Sequence, residues 1–197
     1  NYLFRDAAVA WLAKDALPAS EFGWYLNRAL ALYPGETNLR MYNLLDSHDV
    51  SRFLTLCGGD RARMEQAVLF QMAFPGMPCV FYGDEKGLEG TSENEYRRPM
   101  AFDRSDALEA VYRRMIALRK EHPALRHGDF QTVLAQGALF LCRRSAAEES
   151  LLLCWNAGGE ALPVPGLPKD ALPLLQKGWN GGLLEGRGYA VFQTERR

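Results

Sequence analysis

The 197-residue sequence has little that would tie it to a metal, a membrane or a polyanion. Its four cysteines (Cys57, Cys79, Cys142 and Cys154) are scattered, with no CxxC pair and no histidine at a ligand spacing, which argues against a zinc site. The apolar residues around each cysteine predict buried, reduced thiols and fit a cytoplasmic protein. Lys and Arg total 23 against 24 Asp and Glu, for a net charge of −1. That balance offers no basic surface for nucleic acid or for an anionic membrane. The longest apolar stretches, such as residues 151–155, are far too short to span a bilayer. No secretory leader pattern is present, and the chain opens on Asn1-Tyr2-Leu3-Phe4 without an initiator methionine; a piece of a longer protein is expected.

What the sequence does have is two halves with different periodicity. Hydrophobic residues make up 48% of the chain, enough for a sizeable core. Up to about His122 the spacing is helical, broken by two short apolar runs. Helices are predicted over 4–14, over 20–32 with Ser20 as N-cap, and over 61–74 with Asp60 as N-cap. A further helix ends near residue 121, with Asp106 and Glu109 resembling a capping box. Residues 39–45 and 79–82 read as buried strands, each followed by a polar cluster: Asp46-Ser47-His48-Asp49, then Gly83-Asp84-Glu85. Alternating strands and helices with continuously apolar strands imply parallel pairing buried on both faces. Two such units match part of a (β/α)₈ barrel, whose active sites lie at the strand C-termini; a whole barrel needs roughly 250 residues, so only its closing part fits here.

From about Gly128 the pattern becomes strands and turns, with strands over 131–135, 138–144, 151–155, 161–164 and 189–194. Gln136-Gly137, Ala157-Gly158-Gly159 and Asn180-Gly181-Gly182 supply turns, and a small antiparallel β-sandwich is expected. The glycine-rich stretch 178–188 lacks a P-loop Lys-Ser/Thr and a following helix, so it reads as hairpin turns and not as a phosphate cradle. The expected division is 1–124 for the barrel part and 125–197 for the β-domain.

His48 and Asp49, adjacent on a strand's exit loop, can present one donor and one anionic acceptor to a polyhydroxylated ligand. The bland alternative is that this cluster only shapes a turn. The wider motifs bear on the choice. NLLDSHDVSRF at 43–53 and FPGMPCVFYGDEKGLEG at 74–90 closely resemble two signatures of the α-amylase family of glycoside hydrolases, in order and in separation. NYLFRDA at 1–7 is similar to the segment after barrel strand six in cyclomaltodextrinases, neopullulanases and maltogenic amylases, and GYAVFQ at 188–193 resembles their C-terminal β-domain.

The resemblance implies that residues 39–45 form barrel strand seven and that Val80–Tyr82 lies in strand eight. It implies a retaining enzyme acting on α-1,4-linked glucans such as maltodextrins and cyclodextrins. His48 and Asp49 would bind the sugar at the cleavage subsite, with Asp49 as the carboxylate that stabilises the transition state. Hydrogen bonds that tighten in an oxocarbenium-like transition state contribute several kcal/mol in such enzymes. Glu93 and Arg97 align with a substrate-binding Asp–Arg pair; Glu93 departs from the usual Asp, and Asn94 replaces a usual Pro. Asp84 and Glu85 are assigned a structural role, capping the following segment or pairing with arginines. The family's nucleophile and general acid follow strands four and five, outside this chain, so the isolated chain is expected to be inactive and to self-associate through exposed barrel edges. No metal or other cofactor is expected. A non-catalytic carbohydrate-binding or transporter-associated homologue of the same fold is the alternative.

Overall fold

The computed structural model describes residues 1–147, 149–167 and 172–194. The chain opens with α1 (Tyr2–Ala8), where the Asn1 side chain accepts from the amide of Phe4 at 3.2 Å. This helix widens into a π-helical turn over Val9–Ala13. The next helix, α2, spans Ala19–Ala31 and is not capped by Ser20. Its cap is Pro18, held extended, and the amide of Ala19 donates instead to the carbonyl of Gly137 at 2.8 Å. A distant hairpin thus satisfies the first amide of the helix, which begins one residue before Ser20.

A single turn, α3 (Gly35–Asn38), leads into β1 (Tyr42–Leu44), shorter than the seven-residue strand expected because the turn consumes its start. After the short α4 (Phe53–Leu56) comes the central helix α5 (Arg61–Ala73). Asp60 caps α5 as expected, accepting from Ala62 and Arg63 amides at 2.9 and 3.3 Å. The strand β2 (Met77–Cys79) then runs parallel to β1, with Tyr42 opposite Met77 and Leu44 opposite Cys79. Residues 80–82 lie beyond the end of β2, so the strand begins and ends earlier than predicted. Gly76, at φ +126°, makes the early start possible: a Cβ there would sit 2.7 Å from both Asn43 Nδ2 and Met41 O.

The loop after β2 carries a one-turn helix, α6 (Glu93–Tyr96). It is followed by α7 (Leu108–Glu121) and α8 (Pro123–His127). The capping box expected at α7 is absent. Asp106 does accept from Leu108 N at 3.1 Å, but its carboxylate is gripped by Arg61, while Glu109 turns outward to Lys86 and Arg113. The reciprocal box lies instead at α6, between Ser92 and Glu95.

The remaining strands are β3 (Asp129–Gln136), β4 (Leu139–Ala146), β5 (Glu149–Asn156), β6 (Leu162–Pro163), β7 (Pro173–Trp179) and β8 (Leu183–Thr194). All six join one antiparallel sheet in the order β3-β4-β5-β8-β6, with β7 also on β8. The expected sandwich of two stacked sheets is not found among the described residues. The reason is β8, whose twelve residues pair with β5, β7 and β6 and so keep every strand in one sheet. The turn at Asn180 falls where expected, between β7 and β8, with Asn180 Oδ1 accepting from Leu183 N at 3.0 Å.

Strand alternation gives this sheet two apolar faces. Leu151, Leu153 and Trp155 of β5 join the core built by α1, α2 and α5, while Leu152 and Cys154 face a smaller core with Leu141, Leu184 and Phe192. Aromatic rings carry the main core across from helices to sheet: Phe4 stacks on Phe70 at 5.0 Å, and Phe22 meets Trp11 at 4.1 Å and Phe140 at 5.0 Å. Truncating a buried aromatic side chain of this kind to alanine costs about 3–5 kcal/mol. Cys57, Cys142 and Cys154 are buried free thiols, and burial pushes Cys57 and Cys142 up to about 12. Cys79 is exposed, contrary to expectation, on the same open face of β2 as Met77.

Candidate substrate-binding site

The chain leaves β1 through Leu45 and Asp46, both buried, and only then reaches solvent. Arg5 on α1 supports this exit, donating to the carbonyls of Leu45 at 2.9 Å and Ser51 at 3.1 Å. A tight turn bridges Ser47 and Val50, with Ser47 Oγ accepting from the amide of Asp49 at 3.2 Å. That turn lifts His48 and Asp49 out of the core, and their side chains are 66% and 54% exposed.

The two candidate pairs come together although they follow different strands. His48 Nε2 lies 3.3 Å from Asp49 Oδ1, and Arg97 Nη2 lies 3.6 Å from the same oxygen. Arg97 also donates from Nε to the carbonyl of His48 at 2.7 Å, and its Nη1 is 2.8 Å from Glu93 Oε1. Exposed ion pairs of this kind are worth about 0–1 kcal/mol, so their members can be drawn to other partners at little cost. The cluster therefore offers an imidazole, two carboxylates and a guanidinium that can exchange mutual contacts for ligand hydroxyls. Among the described residues no group of three or more His, Cys, Asp or Glu is placed to hold a metal ion. No helix among them is long and apolar enough to cross a membrane.

Beneath this rim lies a buried layer that the motifs contained but whose geometry they did not reveal. Asp46 accepts from the amide of Phe53 at 2.6 Å and hydrogen-bonds to Asp84. Asp84 in turn meets Arg52 Nη1 at 2.8 Å, both side chains being essentially inaccessible. The structural role expected of Asp84 is thus an ion pair with an arginine. Burial pushes Asp46 up to about 6, and burial together with the neighbouring Asp46 raises Asp84 well above the carboxylate range. The buried pair therefore holds a proton to higher pH than free aspartates would. The hydroxyl of Tyr112 is buried close by, raised by burial and by the charges of Asp84 and Asp46. Glu85 takes the amide of Gly83 at 2.9 Å, a local turn contact.

The α-amylase catalytic-domain family model matches residues 1–106, more than half of the chain. The chain belongs to the α-amylase family. It is 36% identical over 196 residues to a cyclomaltodextrinase from Geobacillus thermopakistaniensis, covering 97% of this chain and 32% of that protein. It is 37% identical over 169 residues to neopullulanase 2 from Thermoactinomyces vulgaris, covering 83% of this chain and 29% of the relative. The chain thus spans about a third of the length of these curated relatives. In structure it is similar to a debranching enzyme from Nostoc punctiforme in an acarbose-soaked crystal, with a TM-score of 0.87 and 32% identity over 98% of this chain and 45% of that one.

Proposed function

We propose that this chain forms the substrate-holding wall of a retaining glycosidase that cleaves or transfers α-1,4-glucosidic bonds in maltodextrins, cyclodextrins or related α-glucans. The observation that carries this reading is the meeting of His48, Asp49, Glu93 and Arg97 at the C-terminal side of a parallel strand pair. In this reading β1 and β2 are barrel strands seven and eight, residues 1–124 are the closing part of a (β/α)₈ barrel, and residues 125–197 are a β-domain that buttresses it. Ligand sites in such barrels sit at the strand C-termini.

Asp49 is the transition-state stabiliser. Its carboxylate accepts from vicinal hydroxyls of the sugar at the cleavage point, and these bonds shorten as positive charge develops on the ring. His48 donates to one hydroxyl and orients the ring. Arg97 and Glu93 hold the neighbouring sugar, Glu93 reaching further than the shorter Asp it replaces. A retaining glycosidase also needs a nucleophile and an acid about 5–5.5 Å apart. In this reading those two carboxylates follow barrel strands four and five, outside residues 1–197, and the isolated chain binds without cleaving. A cytoplasmic location fits its reduced cysteines.

Titration of the chain with maltotetraose, followed by NMR, tests the reading. Shifts confined to residues 47–50 and 93–97 are expected, with no reducing sugar released from maltodextrin or cyclodextrin. Shifts confined to other surfaces, or robust turnover by the rigorously purified chain, would overturn it.

A further inference from the structure

Arg52 lies on the loop after β1, yet nearly all of its hydrogen bonds end on the loop after β2. Its side chain is fully buried. Nη1 donates to the carbonyl of Tyr82 and to Asp84 Oδ1, both at 2.8 Å, and Nη2 donates to the carbonyl of Tyr96 at 3.0 Å. Its own amide donates to the carbonyl of Gly90 at 2.9 Å. The guanidinium also lies over the ring of Phe81 at 4.3 Å and that of Tyr82 at 5.1 Å. One side chain therefore touches the second loop at its start, at Asp84, and at its far end beside Arg97.

The far end is where this matters. Tyr96 immediately precedes Arg97, and the residue after it is also held, because Tyr82 Oη donates to the carbonyl of Arg98 at 2.7 Å. Arg97 is thus bracketed by two anchors that both converge on Arg52 and the ring stacked against it. The second loop has no strand between residues 80 and 92, so bonds to the first loop help set its height. Thr55 and Ser51 add two smaller stitches, to Gly90 N at 2.7 Å and Thr91 O at 3.3 Å. A lysine could meet Asp84 but not also fork to Tyr82 and Tyr96, since its ammonium is a single point and not a planar fan of donors.

We propose that Arg52 is a positioning residue that sets the Glu93–Arg97 segment level with His48 and Asp49, so that groups from two loops form one binding surface. It touches no ligand itself. The inference rests on the glucan-binding reading only for what the surface binds; the coupling of the loops stands without it.

Amide hydrogen exchange on the intact chain tests the coupling, with Arg52→Met and Arg52→Lys as variants and maltotetraose as the ligand probe. In Arg52→Met, exchange in residues 90–98 and 47–51 is expected to accelerate about tenfold or more while α5 and β5 stay as protected as in the wild type. Maltotetraose affinity should fall about tenfold, and Arg52→Lys should recover part of both effects. Unchanged exchange in residues 90–98, or an equal rise throughout the molecule, would overturn the proposal. If Arg52→Met does not fold, Arg52→Lys decides: a local rise in 90–98 supports the role and its absence refutes it. A wild-type chain that ignores maltotetraose removes the glucan reading, and the exchange result still stands on its own.

Discussion

Arg119 and Arg144 donate to adjacent carbonyls, those of Met72 and Ala73, at the C-terminal end of α5. Arg119 continues to the carbonyls of Leu125 and Gly76, both at 2.6 Å, and Arg144 to those of Gly128 and Asp129 at 2.9 and 3.1 Å. Both are buried, and burial lowers each to about 10. Among the described residues no carboxylate is hydrogen-bonded to either; the negative end of α5 and the carbonyls of the chain leading into the sheet solvate them. Arg144→Met would take the donor from two buried carbonyls, those of Ala73 and Gly128, and from the half-buried one of Asp129, at a cost of about 1–3 kcal/mol for each buried group, offset in part by removing a buried charge. A net loss of about 2–4 kcal/mol is expected in urea unfolding. A loss near zero would mean that the arginine is dispensable at this junction.

The Asp46–Asp84 pair gives stability a pH dependence of definite sign. An aspartate that ordinarily titrates near 3.8 is held at about 6 in the folded chain. Between those values the folded form keeps a proton that the unfolded form has released, so the contribution is whole below about pH 4 and is lost as pH rises towards 6. Asp46→Asn keeps an oxygen for the amide of Phe53 and removes the titration. The wild type should therefore lose ground to the variant over this window, by a difference on the order of 1–3 kcal/mol in thermal unfolding. Identical pH profiles would show that the pair does not drive the dependence.

How far the fold was legible in the sequence depended on how local each determinant was. Asp60 could be read as a cap because its partners are two and three residues away. The start of α2 could not, because the amide of Ala19 is satisfied by Gly137 on a hairpin of the other half. His48 and Asp49 stood out in a motif, and Asp84 in another. The Arg52 bond to Asp84 joins residues 32 apart, and no periodicity announces it. The same holds for the sheet: turn residues marked the hairpins, but nothing local says that β8 takes neighbours on both edges. The Ser92–Glu95 box had the ordinary S-x-x-E spacing and was legible in principle, though hidden in a charged loop.

Asp49→Asn isolates the rim from the buried layer below. The Asp49 side chain is more than half exposed and its carboxylate meets His48 and Arg97 at the surface, so stability should change by less than about 0.5 kcal/mol. A double-mutant cycle between Asp49→Asn and Arg97→Met should return a coupling of at most about 1 kcal/mol in stability. Binding should behave differently, with maltotetraose shifts at residues 47–50 lost in Asp49→Asn. Retained shifts would remove Asp49 from the site, and a large loss of stability would make its role structural.

The face of β1 and β2 opposite α5 carries the last prediction. Among the described residues these strands form a sheet of only two, so each has an unpaired edge. Tyr42 is 61% exposed and Met77 40%, and Val80 and Cys79 are exposed beside them. Parallel strands are stable when both faces are covered, and open edges with apolar neighbours recruit other chains. Sedimentation of the 197-residue chain should show an average mass that rises with concentration above that of one copy. Replacing both Tyr42 and Met77 by lysine should shift the distribution towards the single chain without lowering helix content, because neither side chain belongs to the core. A clean monomer across the whole concentration range would mean that this face is self-sufficient, and the reading of β1 and β2 as part of a larger barrel would lose its physical support.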